Sequence, residues 1–351
     1  MNRLLNNYFK LIKKIISGQK QEVSIGLDVG NGECKLVEIV RDNDSYRLLN
    51  WAVEPVIEGD IRTALQKILK KSKYHVSTLH TAVLGRGTLI RYVDMPQMST
   101  AELENSFSIE ADKYFPFVHD QIYADCYILD KKAKGSRMNV LAVAAKRELI
   151  DHRIKLLIEL GYQVDFVGIN SIALTNVIYS LGPGFNKEKD SAVAIFDMGD
   201  TVSNLTILVN RLPRFTRDIF IGGRDFTKSI SNAMGVSFAE AEKIKCNPQE
   251  KLDQVVRACE AAMGNIAQEL RLSFDYFSTE NDREVAQLLL TGGTSRLEKT
   301  TKVFENTLDV PLGYFNPLEK LEISPDLAKK ELETNADKLA VTIGLALYQY
   351  A

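Results

Sequence analysis

Three glycine-bearing turns, each leaving an apolar strand, restrict this chain more than any other feature. They are Gly26-Leu27-Asp28-Val29-Gly30-Asn31-Gly32-Glu33-Cys34-Lys35, then Asp197-Met198-Gly199-Asp200-Thr201, then Thr291-Gly292-Gly293-Thr294-Ser295. A lone Asp-x-Gly is an ordinary hairpin turn. Two strand-turn-strand units of that form, followed by a Gly-Gly turn that opens a helix, are what a two-lobed nucleotide clamp needs, and together they read as one ATP site. Backbone amides can point at a phosphate only where no side chain blocks the approach, which is why Gly30, Gly32 and Gly199 matter by type. Lys35 can bring its ammonium to the β-phosphate. Asp28 and Asp197 each end a strand and would face one another across the cleft, where two carboxylates hold Mg²⁺ through water.

Other chemistries lack their motifs. There is no GxxxxGK[ST] loop, no GxGxxG after a strand, no HExxH and no GxSxG elbow. The histidines, His75, His80, His119 and His152, are scattered in polar surroundings and read as surface or structural residues. Cys34, Cys126, Cys246 and Cys259 lie far apart without a CxxC pair, which argues against a disulfide framework or zinc site. A net charge of −2 offers no bulk electrostatic case for nucleic acid. No apolar run reaches the roughly 18 to 20 residues of a membrane-spanning helix, and no cleavable export signal is present, so a cytoplasmic protein is expected.

The pattern along the chain gives the organisation. Residues 1–22 form a basic amphipathic helix: Leu4, Leu5, Tyr8, Phe9, Ile12, Ile15 and Ile16 share one face, and Arg3, Lys10, Lys13, Lys14 and Lys20 carry the charge. Such a helix can lie on a membrane surface, dock on a partner, or pack on its own domain. Strands are predicted at Val23 to Val29, Lys35 to Val40 and Tyr46 to Val53, and the same strand-turn-strand-turn-strand order recurs at Ala192 to Met198, Val202 to Val209 and Arg214 to Ile219. The recurrence implies duplicated lobes: 23–190 with 334–351, and 191–333, the second beginning after the linker Gly182-Pro183-Gly184. Ser99 and Glu102 make a capping box for a helix running to Tyr114, and a small subdomain at 94–165 is inserted in the first lobe.

At these residues the chain resembles the actin-like ATPase superfamily, which includes actin, heat-shock chaperones, FtsA and sugar kinases. Asp28 to Lys35 is similar to its first phosphate motif, Asp197 to Thr201 to its second, and Leu290 to Ser295 to its adenosine motif. The resemblance narrows to the PilM family of type IV pilus assembly. It does so on Met95-Pro96-Gln97-Met98, Glu102-Leu103, Glu110 to Phe117, Gly222 to Thr227 and Phe238 to Lys245, and it covers Val23 to the end.

The resemblance implies an α/β, actin-like two-lobed fold of duplicated RNase H-like lobes with an inserted small subdomain. It also implies ATP and Mg²⁺, a cytoplasmic place peripheral to the inner membrane, and a groove for the N-terminal cytoplasmic peptide of a PilN-like bitopic membrane protein, with pilus assembly ATPases as further partners. The groove would lie between the first lobe and the insert, shaped by Met95 to Phe117, whose aromatics Phe107, Tyr114, Phe115 and Phe117 could equally be core. Glu33, Cys34, Asn31, Thr201, Gly293 and Thr294 would line the nucleotide, with Glu242 and Lys245 at purine and ribose. Asn170 and Asp200 are the candidates for orienting an attacking water, so hydrolysis would be slow or absent. A small-molecule kinase and an FtsA-like membrane-tethered filament protein are the alternatives on the same fold.

Overall fold

The computed structural model describes residues 23–42, 45–74, 78–133, 137–182, 191–297 and 300–348. The helix expected over 1–22 and the linker tip at Pro183-Gly184 lie outside the described residues.

Strands β1 (Val23–Val29), β2 (Glu33–Asp42) and β3 (Ser45–Pro55) form an antiparallel meander. Helix α1 (Ile61–Leu69) follows, its start capped by the Asp60 carboxylate, which accepts the Thr63 amide at 3.0 Å. The apolar stripe Ala64, Leu65, Ile68 and Leu69 buries α1 against the meander, and β4 (Thr78–Val83) then runs parallel beside β1. Next come β5 (Thr88–Pro96), α2 (Thr100–Glu110), β6 (Ile122–Ala133) and β7 (Arg137–Lys146), followed by α3 (Arg147–Glu159), β8 (Gln163–Ile169) and α4 (Asn170–Leu181).

The second half repeats the plan with β9 (Ala192–Met198), β10 (Ser203–Val209) and β11 (Leu212–Ile219), then α5 (Gly223–Met234), α6 (Phe238–Cys246), α7 (Leu252–Asn281), β12 (Val285–Thr291), α8 (Thr300–Thr307) and β13 (Leu312–Tyr314). Strand β14 (Glu322–Ile323), α9 (Lys329–Asn335), a 3₁₀ turn at Ala336–Leu339 and α10 (Ala340–Leu347) close the described chain.

The sheets make the duplication explicit. One has the order β14-β3-β2-β1-β4-β8, the other β11-β10-β9-β12-β13, and in both an antiparallel meander is extended by parallel strands. The third sheet, β5-β7-β6, is the insert. It occupies Thr88–Lys146 instead of the expected 94–165, because β5 pairs with β7 while α3 and β8 belong to the first lobe. The return to the first lobe also comes earlier than residue 334: β14 pairs with β3, and Phe315, Leu318 and Leu321 already pack in the core beneath the first sheet.

That core spans both lobes. Val37, Ile39 and Leu48 of the first sheet and Val193, Ile195 and Leu289 of the second meet around α4 and α10. Every residue of α10 is buried, consistent with its apolar composition on all sides. The second lobe has its own core on the other side of its sheet, where Phe196, Phe226, Phe277 and Phe304 are wholly buried. At about 1.5–3 kcal/mol for each large side chain, these four alone are a substantial fraction of what holds the lobe together.

Candidate functional site

The cleft between the lobes is built where the strand ends of both meanders meet. Alternation along β2 sends Cys34 and Leu36 into the first lobe's core and leaves Glu33 and Lys35 facing the cleft. The Cys34 side chain is fully buried, burial pushes its thiol up to about 12, and only its backbone faces the turn. Lys35 is the cross-strand partner of Asp28, and its Nζ donates to Asp28 Oδ2 at 3.0 Å. Burial works against its charge, yet Asp28, Glu33 and Asp197 together hold the ammonium above its ordinary pKa. Asp197, on the second lobe, is pushed up to about 6 chiefly by burial; Lys35 opposes the shift and Asp28 adds to it. The two carboxylates and the lysine thus share one electrostatic neighbourhood.

The three turns are joined by named contacts. Asn31 Nδ2 donates to Thr201 Oγ1 at 2.8 Å, linking the first turn to the second. Gly32 lies against the Asp200 side chain, whose carboxyl burial raises. The third turn is fixed to the second by Thr294, whose amide and hydroxyl donate to the Met198 and Gly199 carbonyls at 3.1 and 3.0 Å. The close approach depends on missing side chains: a Cβ at Gly199 would meet the Val202 carbonyl at 2.4 Å, and one at Gly292, φ +89°, the Asp197 carboxylate at 2.4 Å. The Gly-Gly turn does not open a helix directly. Ser295 Oγ donates back to Gly292 at 2.7 Å, the chain turns through Arg296, and α8 starts at Thr300.

Glu242 and Lys245 sit one helical turn apart on α6, with Lys245 Nζ 2.8 Å from Glu242 Oε2. Lys245 also donates to the Gly223 carbonyl and to Thr227 Oγ1, at 3.0 and 2.9 Å. Burial opposes ionisation of Glu242, but Lys245 and its hydrogen bonds keep its pKa below the usual range. Asn170 stands apart. It opens α4 after β8, at the same end of the sheet as Asp28 but two strands over, about 10 Å along the sheet.

Several contributors escaped the sequence reading. The amides of Gly223 and Arg224 at the start of α5 donate to the Gly199 and Asp200 carbonyls at 2.9 and 2.8 Å, so that helix closes the second turn from behind. Asp225, three residues past Gly222, accepts the Gly222 amide at 2.9 Å; a Gly-Gly followed by an acid at that spacing was the available signal. Lys338 spans the cleft, donating to Glu33 Oε1 at 2.7 Å while its stem lies beside Gly293. Asp337 accepts from Arg296 through its side chain and from Gly292 and Thr291 through its carbonyl. Neither residue lies in a recognisable local motif.

A second surface lies between the insert and the first lobe. One face of the β5-β7-β6 sheet is covered by α2 and by Phe107 and Phe115, so these aromatics of the Met95 to Phe117 segment are core. The opposite face carries the exposed Tyr123 and Tyr127. Arg147 stands over the Tyr123 ring at 4.4 Å, and Tyr123 Oη donates to Asp151 at 3.0 Å. Across from them are Tyr348, stacked on Phe166 at 3.6 Å, and buried His80, edge-on to both rings. Burial raises the Tyr348 phenol, and Asp125 of the insert and Asp165 of the first lobe raise it further, which marks how near the two walls stand.

A family model described as type IV pilus assembly protein PilM matches residues 26–350. The chain belongs to this family. The solved structure of a PilM-PilN type IV pilus biogenesis complex superposes with a TM-score of 0.82 at 23% identity, covering 93% of this chain and 98% of that one. The ethanolamine utilization protein EutJ from Carboxydothermus hydrogenoformans superposes with a TM-score of 0.50 at 14% identity, over 93% of this chain and 90% of its own. At these identities the likeness concerns the fold, which is the actin-like two-lobed one that the family resemblance implied. Among curated proteins, FtsA of Helicobacter pylori (strain ATCC 700392 / 26695) is 28% identical over 113 residues, 32% of this PilM-family chain and 22% of that protein. FtsA of Bacillus subtilis (strain 168) is 22% identical over 257 residues, 64% of this chain and 57% of its own. The chain thus spans well under two thirds of these relatives.

Proposed function

We propose that this PilM-family protein is an ATP-binding adaptor of type IV pilus assembly, or of a related secretion or DNA-uptake machine. In this reading it grips the N-terminal cytoplasmic peptide of a PilN-like inner-membrane protein. The observation that carries the nucleotide part is the stapling of three glycine turns around Lys35, Asp28 and Asp197. The residues suit the ligand: Gly30 closes the first turn by donating its amide to the Glu33 carbonyl at 3.1 Å, the amides of Asn31 to Glu33 and Gly199 to Thr201 would cradle phosphates, Lys35 would neutralise them, and Gly292, Gly293, Thr294, Glu242 and Lys245 would surround the adenosine. Among the described residues no three His, Cys, Asp or Glu side chains converge as a metal cage. A magnesium ion would bind through Asp28 and Asp197, phosphate oxygens and its own water, which is its ordinary habit.

Asp200, beside Gly32, is better placed than Asn170 to orient a water, and with a single such carboxylate we expect slow turnover or none. The peptide groove is assigned to the face bearing Tyr123 and Tyr127. Aromatic rings backed by Arg147 and Asp151 suit a short peptide that presents both apolar and polar side chains. No helix among the described residues is long and apolar enough to cross a membrane, so the same reading reaches the inner membrane through the partner.

Calorimetry tests the site. Asp197→Ala should weaken Mg-ATP binding by roughly tenfold or more, about 1.4 kcal/mol, and an unchanged affinity would sink the assignment. Tyr127→Ala should weaken capture of the cognate PilN N-terminal peptide and leave ATP affinity alone.

A further inference from the structure

Arg153 belongs to neither surface as described, yet it sits between them. In α3, Arg147 and Asp151 are four residues apart and share one helix face, and both engage Tyr123 in the groove. Arg153 is two residues past Asp151, about 200° further round the helix, and so points the other way. There its guanidinium donates to the Ala82 carbonyl at 2.9 Å and reaches the Val29 carbonyl at 3.4 Å. Those carbonyls lie in the last two residues of two adjacent parallel strands, β4 and β1, and Val29 immediately precedes Gly30 of the first phosphate turn. Burial lowers the Arg153 pKa, and the nearby Asp28 and Cys34 oppose that shift.

The helix has little freedom to move in parts. Ile150 is packed with Val83 and Ala145, and Leu157 is fully buried among Ile25, Leu27 and Leu79. A planar guanidinium with its donors in a fixed fork can hold two carbonyls at once, which a lysine ammonium does less rigidly.

We propose that Arg153 is a positioning residue of the phosphate site and that α3 couples it to Tyr123, so that the state of the groove sets the affinity of the cleft for nucleotide. The proposal rests on the ATP reading given above. Because coupling between two binding sites is reciprocal, nucleotide must change affinity in the groove by the same factor.

The experiment is a double-mutant cycle on Mg-ATP affinity, using the full chain as wild type, Tyr123→Ala, Arg153→Lys and the pair, with thermal melts to confirm folding. Tyr123 is 42% exposed, so its replacement tests the link without opening a core. Tyr123→Ala should weaken Mg-ATP binding about fivefold, and in the Arg153→Lys background the same change should do almost nothing. Arg147→Gln, which frees the Tyr123 ring from the other side, should act in the same direction as Tyr123→Ala. An unchanged ATP affinity in Tyr123→Ala, or full additivity with Arg153→Lys, overturns the coupling. Failure of the wild-type chain to bind Mg-ATP at all overturns the nucleotide reading and the coupling with it.

Discussion

Asp197 shows how one side chain can carry both a cost and a function. Its carboxyl, ordinarily near 3.8, is raised to about 6 by burial at the end of β9. Between those values the folded protein binds a proton that the unfolded chain does not, so stability falls as pH rises through that window and stays low above it. Asp197→Asn removes the penalty. Its melting temperature should exceed that of the wild type at pH 8, by the equivalent of about 3 kcal/mol, and the gap should close toward pH 4. Scanning calorimetry across that range checks the sign, and a gap that widens toward acid would contradict the assignment. The strand positions of Asp28, Lys35 and Asp197 beside the glycine turns were legible in the sequence because strand and turn signals are local. The burial of the Cys34 side chain was equally readable from its alternation with Leu36, whereas Arg153 and Lys338 were hidden because only tertiary packing brings them to the cleft.

Helices and strands carry the next set of expectations. The box at α2 is complete: Ser99 and Glu102 exchange bonds, with the Ser99 amide 2.7 Å from Glu102 Oε2. Ser99→Ala should cost about 1 kcal/mol, read as a lower denaturation midpoint. Helix α10 approaches α4 so closely that a Cβ on Gly344 would lie 1.9 Å from the Ala173 carbonyl. Gly344→Ala must push backbone apart and should destabilise by several kcal/mol, about the cost of a severe overpacking change, or prevent folding. Most element positions could be read from apolar runs and caps within a few residues. Partner choice could not: nothing local tells β5 to pair with β7 in the insert, or the short β14 to leave the second lobe for β3.

At the scale of the molecule, the insert is held from both sides. Besides α3 at its root, it touches β11 of the second lobe through Tyr92 Oη and Thr216 Oγ1 at 2.8 Å and through Arg214, which donates to Asn139 at 2.8 Å. Nearby, Arg86 stands 5.3 Å over the Phe220 ring. Tyr92→Phe leaves Thr216 without that partner and should cost about 1 kcal/mol. Amide exchange should quicken along β5 and β11 and remain slow in the second lobe's phenylalanine core; uniform change everywhere would mean the contact does not tie insert to lobe. The duplicated plan was visible in the repeated strand order, whereas this bridge was not, since its residues come from distant segments with no shared pattern.

The wholly buried α10, wedged between the first sheet and α4, has a consequence for synthesis. Residues 340–347 are synthesised long after the opening meander, yet the first lobe's interior is incomplete until they arrive. At about 5–20 residues per second, the opening meander waits roughly 15–60 s for its last packing partner, with an apolar seam open to chaperones meanwhile.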